Sequence, residues 1–273
     1  MKKKRLWLLG DIAGLLVCFV VFVIPFAFMI VNSLKDRKSA NKLTLLIPRE
    51  LHWDNFSEVF QTGELLTAFK NSFIITLVAE VLLILIGSMA GFVLQRRRDR
   101  VTKAANALVL SGLMIPPAIL PTIWVMQGLF LYKTLFGMIL VETALQIPFT
   151  IILYRGFVGT IPVEMEEAAY IDGCRRFAVY RKIILPLLKP VTATVIILNA
   201  VTIFNDFTNP LYFLPGKENR TVQLTLYDFM GKYATSYNLL FADVLLITIP
   251  MLIIFLIFNK KIVDGMVAGA VKG

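Results

Sequence analysis

Phe73–Leu94, read as FIITLVAEVLLILIGSMAGFVL, carries one charge, Glu80, in its whole length. A run this apolar and about 20 residues long crosses the hydrocarbon core of a bilayer as a helix, because a helix satisfies its own backbone hydrogen bonds where water cannot. Five further stretches read the same way on either side of it. Ile12–Val31 is free of charge and contains Pro25, which should bend it. Ala104–Tyr132 is also free of charge and contains Pro116, Pro117 and Pro121. Thr134–Tyr154 includes Glu142, Pro190–Leu214 includes Asp206, and Leu239–Asn259 includes Asp243. The third and fourth runs nearly touch, so the turn near Tyr132–Lys133 must be short. The expected fold class is all-α: one polytopic membrane domain over residues 1–273, with six transmembrane helices at about 12–31, 73–94, 104–132, 134–154, 190–214 and 239–259.

Composition supports a chain that faces something other than water. Of its 273 residues, 58% are hydrophobic and only 17% charged, with a mean hydropathy of +0.75. A soluble domain carries about 25% charged residues. Two cysteines, Cys18 and Cys174, and the single His52 leave no disulfide framework and no His/Cys metal cluster. No catalytic constellation stands out, and His52 beside Trp53 reads as a surface residue. The basic start Met1-Lys-Lys-Lys-Arg5 before an apolar run has the form of a secretory signal. Such a core spans about 7–15 residues and ends at a small-residue cleavage site; this run is longer, and Asn32-Ser33-Leu34-Lys35 offers no such site. Nor does Leu-Val-Cys18 form a good lipoprotein box. The first run is expected to be an uncleaved anchor.

The distribution of charge sets the orientation. With six spans both termini lie on one side, and the segments on that side (1–11, 95–103, 155–190, 259–273) hold 18 of the 28 Lys+Arg. The opposite segments (35–71, 131–136, 211–240) hold the other 10 over almost the same length. Cytoplasmic loops carry the excess of Lys and Arg, so both termini are expected in the cytoplasm. The formal net charge of +10 is then orientation charge, not a footprint for nucleic acid.

Between the fourth and fifth runs, Arg155–Lys189 reads as structured. Pro162 suits a first helical position, and Glu164, Glu166 and Glu167 crowd the positive end of the helix dipole. Met165, Ala168 and Ala169 fall at i, i+3 and i+4 and should form one apolar stripe. Gly173 can supply a left-handed stop. A second short helix through Phe177, Tyr180, Ile183 and Ile184 is expected to be broken by Pro186 and Pro190. Small alanines on a surface helix permit close approach, so this helix is better suited to a cleft in a partner than to bare solvent.

Glu167-Ala168-Ala169, then Asp172-Gly173, then Leu185-Pro186 and Pro190, resembles the EAA signature of ABC importer permeases. The match runs from Ile161 to Pro190 and departs mildly at Cys174 and Tyr180. Asn205-Asp206-Phe207 with Pro210-Leu211, the proline-rich third run and the terminal Ala268–Gly273 are similar to the carbohydrate-importer branch, particularly its maltose-type G subunit. The resemblance implies a type I ABC importer permease fold, a multi-pass protein of a bacterial-type cell membrane. Residues 161–190 would be the coupling loop, gripped by a separate ATPase through Glu167, Ala168, Ala169, Asp172, Gly173 and Pro186. The cytoplasmic tail 260–273, with Gly269 and Gly273, would make a second ATPase contact. It also implies a second permease subunit as heterodimer partner, two copies of the ATPase, and an extracytoplasmic solute-binding protein met by the loop Gly216–Asn238. The chain has no Gly-x-x-x-x-Gly-Lys-[Ser/Thr] phosphate loop, so ATP and Mg would be bound by the partner, and this chain would need no cofactor and would not be an enzyme.

Polar groups inside the spans are functional candidates by default, since an acid at helix centre costs about 2.5–3.5 kcal/mol on insertion scales. Asn199, Asn205 and Asp206 on the fifth run are the candidates for a polar path for a hydroxyl-rich sugar; the alternative is that Asp206 only caps or snorkels. Glu80 and Glu142 suit helix–helix hydrogen bonds, and Asp243, at the entry to the last run, suits an interface. Gly87-x-x-x-Gly91 permits close helix packing. A rival reading is an ion- or proton-coupled secondary transporter with Glu80, Glu142 and Asp206 as its relay; a third is a membrane-anchored assembly or signalling protein. Neither rival calls for a helix–glycine–helix lever.

Overall fold

Apolar runs fold as helices, and prolines and polar breaks decide where those helices stop. The computed structural model describes residues 11, 12, 14–231 and 235–270, and no strand occurs among them. The helices are α1 (Gly14–Ser33), α2 (Arg37–Ala40), α3 (Asp54–Thr62), α4 (Leu65–Arg96), α5 (Arg100–Met114), α6 (Ile119–Gly128), α7 (Leu135–Val158), α8 (Glu164–Ile171), α9 (Arg176–Leu187), α10 (Lys189–Phe204), α11 (Thr208–Phe213), α12 (Val222–Phe229) and α13 (Tyr237–Ala270).

By length and composition α1, α4 and α7 can each cross a membrane. Two further spans qualify only as bent pairs, α5 with α6 at 120° and α9 with α10 at 71°. Within α13 the apolar stretch Tyr237–Ile253 is shorter. Of the six expected spans, three are thus continuous helices, two qualify only as bent pairs and the last has only that shorter stretch; the breaks have local causes. A residue before proline is pushed out of the helical region: Ile115, ahead of Pro116 and Pro117, is extended and ends α5. The fifth run, expected as one helix over Pro190–Leu214, stops at Phe204. There the Asp206 carboxylate accepts the amides of Thr208 (2.9 Å) and Asn209 (3.2 Å) and starts α11 afresh.

Two other prolines are absorbed without a break. A proline ring crowds the carbonyl four residues back. In α1 the turn Phe19–Val23 widens to a π-helix two residues ahead of Pro25, and in α9 Tyr180–Ile184 does the same ahead of Pro186. The short turn between the third and fourth runs is present: the Leu131 and Tyr132 amides both donate to the Met126 carbonyl, and Thr134 Oγ1 accepts from the Gly137 amide to open α7. At the start of α5 the Thr102 amide donates to Asp99, which holds that carboxyl below its usual value.

The chain divides into two compact units, one of residues up to 68 with 222–250, the other of 69–221 with those beyond 250. In the first, α1 exposes apolar side chains all round, Leu15, Val17 and Phe22 among them, as a lipid-facing helix does. Beyond it Lys35 is buried, and its Nζ donates to Asn32 Oδ1 (2.9 Å) and the Thr44 carbonyl (2.5 Å). Asn55 donates to the Ser33 and Lys35 carbonyls and accepts from Asn238. Asp243, fully buried on α13, accepts from Thr225 of α12 at 2.9 Å. His52 is half-buried, and its amide donates to the Leu34 carbonyl.

The second unit has two cores. One joins Ile75, Ala79 and Leu83 of α4 to Met126, Met138, Ile139 and Ile203. The other joins Tyr154 and Val158 of α7 to Tyr180, Ile184, Leu188, Val191 and Val195. Gly87 and Gly91 let α4 lie against α7. A Cβ on Gly91 would stand 2.7 Å from Tyr154 Cβ and 2.9 Å from the Arg155 nitrogen, and one on Gly87 would stand 2.6 Å from Thr150 Cγ2.

Candidate functional site

The segment between α7 and α10 is built as the sequence leads one to expect, with one face changed. Glu166 and Glu167 donate their amides to the Val163 carbonyl, and Met165 to that of Pro162. Pro162 therefore precedes the first residue of α8 by two positions instead of occupying it, a shift within the usual blur of helix ends. At the other end Cys174 N–H donates to the Ala169 carbonyl (2.9 Å) and Gly173 N–H to that of Tyr170 (3.0 Å). This pair of bonds is a Schellman stop, which needs a left-handed residue. Gly173 supplies it with φ +81°, and nothing lies within 4 Å of where its Cβ would be. Backbone conformation, not space, requires the glycine.

The expected stripe of Met165, Ala168 and Ala169 is split. Ala169 is buried, while Met165 and Ala168 are exposed. The inward face of α8 is Glu166 with Ala169, three residues apart. Glu166 is only 5% exposed, and its Oε1 accepts from Arg96 Nε at 2.6 Å. Arg96 also donates through Nη2 to the Ile161 carbonyl at 2.8 Å. A buried carboxylate needs such a partner, and Arg96 is the last residue of α4. The outward face carries Glu167, Ala168, Ile171 (86% exposed), Asp172 and Gly173.

α9 anchors the other half of the loop. Phe177 is exposed, but Tyr180 is buried, with its hydroxyl 2.7 Å from Ser88 Oγ and its ring 5.9 Å from that of Phe92. Pro186 is exposed in the last turn of α9. The break expected from sequence at Pro186 does not occur; the helix breaks at Leu188 instead, because the π-turn accommodates Pro186 and Pro190 takes its place in the first turn of α10. Arg155 on α7 joins the same end of the unit, donating to Gln95 of α4 at 3.3 Å and to Asn106 of α5. A groove of about 380 Å³ lies beside the loop, walled by Met89, Phe92, Arg96, Tyr170, Arg176 and Phe177.

The candidates for a polar path separate. Asn199 is buried and donates to Thr150 Oγ1 at 2.9 Å, which joins α10 to α7. Asn205 is exposed at the end of α10, and Asp206 is half-buried at the break. Asp206 does cap α11, and it also accepts from Asn209 Nδ2 at 2.5 Å. Glu142 is 1% exposed. Glu80 is buried on α4. Gly269 lies in the last turn of α13, and Gly273 lies outside the described residues. Among the described residues no three His, Cys, Asp or Glu come together as a metal site.

Residues 65–267 match the family described as the binding-protein-dependent transport system inner membrane component. The chain belongs to that family. The melibiose/raffinose/stachyose import permease protein MelC of Bacillus subtilis (strain 168) is 34% identical over 275 residues, covering 100% of this chain and 99% of its own length. The multiple sugar-binding transport system permease protein MsmG of Streptococcus mutans serotype c (strain ATCC 700610 / UA159) is 33% identical, with 93% of each chain covered. A bacterial ABC transporter involved in the import of the acidic polysaccharide alginate has a chain that superposes with a TM-score of 0.84 at 18% identity, over 95% of this chain and 98% of that one. The permease thus has the all-α fold of an ABC importer's membrane subunit. It is a membrane protein and not the ATPase: hydrolysis belongs to a partner subunit.

Sequence reasoning missed Arg96 and the burial of Glu166. The available signal was the i, i+3 spacing of Glu166 and Ala169, together with an arginine ending a span on the same side as the loop. It also missed that Asn209 turns back onto Asp206.

Proposed function

We propose that the permease carries an oligosaccharide into the cell, driven by a separate ATPase that grips α8. The observation that carries this reading is the division of α8 into two faces. Its inner face is tied to α4 by a part-buried ion pair, while Glu167, Ala168, Ile171, Asp172 and Gly173 stand free for a partner on the other. Pulled or pushed at that outer face, α8 would move as a rigid piece. Its displacement would pass to α4 through Arg96 and to α7 and α10 through the core around Tyr180 and Leu188. Sugar as cargo is supported by the relatives' names and by the polar break at Asn205–Phe207. Irregular backbone at membrane depth is tolerated where it is buried in protein or lines a watery cavity, and Asn205 and Asp206 would offer donors and acceptors to hydroxyls there.

In this reading the chain has six spans and both termini in the cytoplasm of a bacterial-type membrane. It pairs with a second permease subunit and two ATPase copies, and the loop Gly216–Asn238, which contains α12, meets the solute-binding protein. ATP and Mg belong to the ATPase. Gly173→Asp and Glu167→Lys should each abolish ATP-dependent sugar uptake in cells while the permease is still inserted at normal level, measured by membrane immunoblot beside the uptake assay. Normal uptake by both variants would remove the coupling role.

A further inference from the structure

We infer that Arg96 is a positioning residue for energy coupling: through Glu166 and the Ile161 carbonyl it fixes the coupling helix to the end of α4, so that motion of α8 becomes motion of a membrane span. The inference rests on the proposed coupling role of α8.

Three observations converge on it. The guanidinium makes two bonds in different directions, Nε to Glu166 Oε1 at 2.6 Å and Nη2 to the Ile161 carbonyl at 2.8 Å. One holds the first turn of α8 and the other the chain just before it, so rotation and sliding are both opposed. The pair is shielded, with side chains 16% and 6% exposed; charges removed from water are screened little and hold a definite geometry. The neighbouring Arg97 behaves differently: its partner is Asp99, in its own chain segment, and both are substantially exposed. α8 itself has few other holds on the chain. Of its eight residues only Glu166 and Ala169 are buried, and Ala169 contributes a methyl group. The firm hold of α9, by contrast, lies beyond the Gly173 turn, through Tyr180 and Ser88. Without Arg96 the half of the loop that the ATPase grips would pivot about its ends, and the stroke would be spent there.

The prediction concerns efficiency of coupling more than assembly. The whole importer, purified with its ATPase and binding protein, is reconstituted in proteoliposomes. Sugar transported per ATP hydrolysed is then measured for Arg96→Gln, Glu166→Gln, Arg96→Lys and the exchanged pair Arg96→Glu with Glu166→Arg. Both glutamine variants should retain the ATPase on purification yet lose at least ten-fold in sugar moved per ATP. Arg96→Lys, which keeps the charge but not the two-way fork, should fall between, and the exchanged pair should recover part of the ratio. A purely structural role would lower the yield of complex and leave the ratio unchanged, and that outcome would overturn the inference, as would a normal ratio in both glutamine variants. Failure of the coupling reading itself shows elsewhere, as an unsubstituted permease that retains no ATPase.

Discussion

Asn199 shows at the scale of one residue how a polar group within a span divides between packing and transport. Its amide is spent on Thr150, and interhelical hydrogen bonds of this kind contribute about 0.6 kcal/mol on average and about 1.7 at most in measured membrane cases. Asn199→Ala should therefore lower the thermal unfolding midpoint in detergent by an amount corresponding to roughly 0.5–2 kcal/mol, with no change in the sugar concentration giving half-maximal uptake. A selective change in that concentration at unchanged stability would return Asn199 to the path. Reading the sequence could name Asn199, Asn205 and Asp206 but could not sort them, because sorting depends on whether a neighbouring helix offers a partner. The three glutamates of α8 pose the same problem. Glu164, Glu166 and Glu167 all suit a helix N-terminus, and only the position of Arg96 singles out Glu166.

At the scale of elements, the apolar runs were legible because a bilayer demands about 20 uncharged residues, and the Gly173 stop was legible because only one backbone conformation closes such a turn. The breaks were less so. Pro25 and Pro186 leave their helices running through a π-turn, whereas Pro116–Pro117 ends α5, since two successive prolines remove two donors and force Ile115 into an extended conformation. The break at Asn205–Phe207 lies just ahead of Pro210, whose ring crowds the Asp206 carbonyl four residues back, and the Asp206 side chain competes for the backbone by capping α11. The glycines of α4 were legible as a spacing, and their structural counterpart is contact with α7. Gly91→Val should lower stability by roughly 1–3 kcal/mol through overpacking against Tyr154 and Arg155. Gly156→Ala on α7, where a Cβ would meet nothing within 4 Å, should be neutral or raise it by up to about 1 kcal/mol. Thermal unfolding of the two variants side by side makes the comparison; equal effects would contradict close packing at Gly91.

At the scale of the whole molecule, the permease is a transmission. In the proposed reading its spans supply a path, the loop between α7 and α10 receives force, and the energy source lies in another chain. This division was legible because the segment Arg155–Lys189 has the caps, stripe and glycine stop of a folded element, while the rest of the chain has too few charges to be anything but membrane-embedded. What lay beyond the sequence was which side of α8 is left open, since that depends on how α4 and α7 meet. The most direct test is cysteine cross-linking from that open side. In a permease with Cys18 and Cys174 replaced by serine, Ala168→Cys should cross-link to the ATPase in membranes, and ATP should change the yield, whereas Ala169→Cys, on the buried side, should not cross-link. An ATPase that co-purifies with the permease yet never cross-links to position 168, or cross-links equally to 168 and 169, would contradict the account.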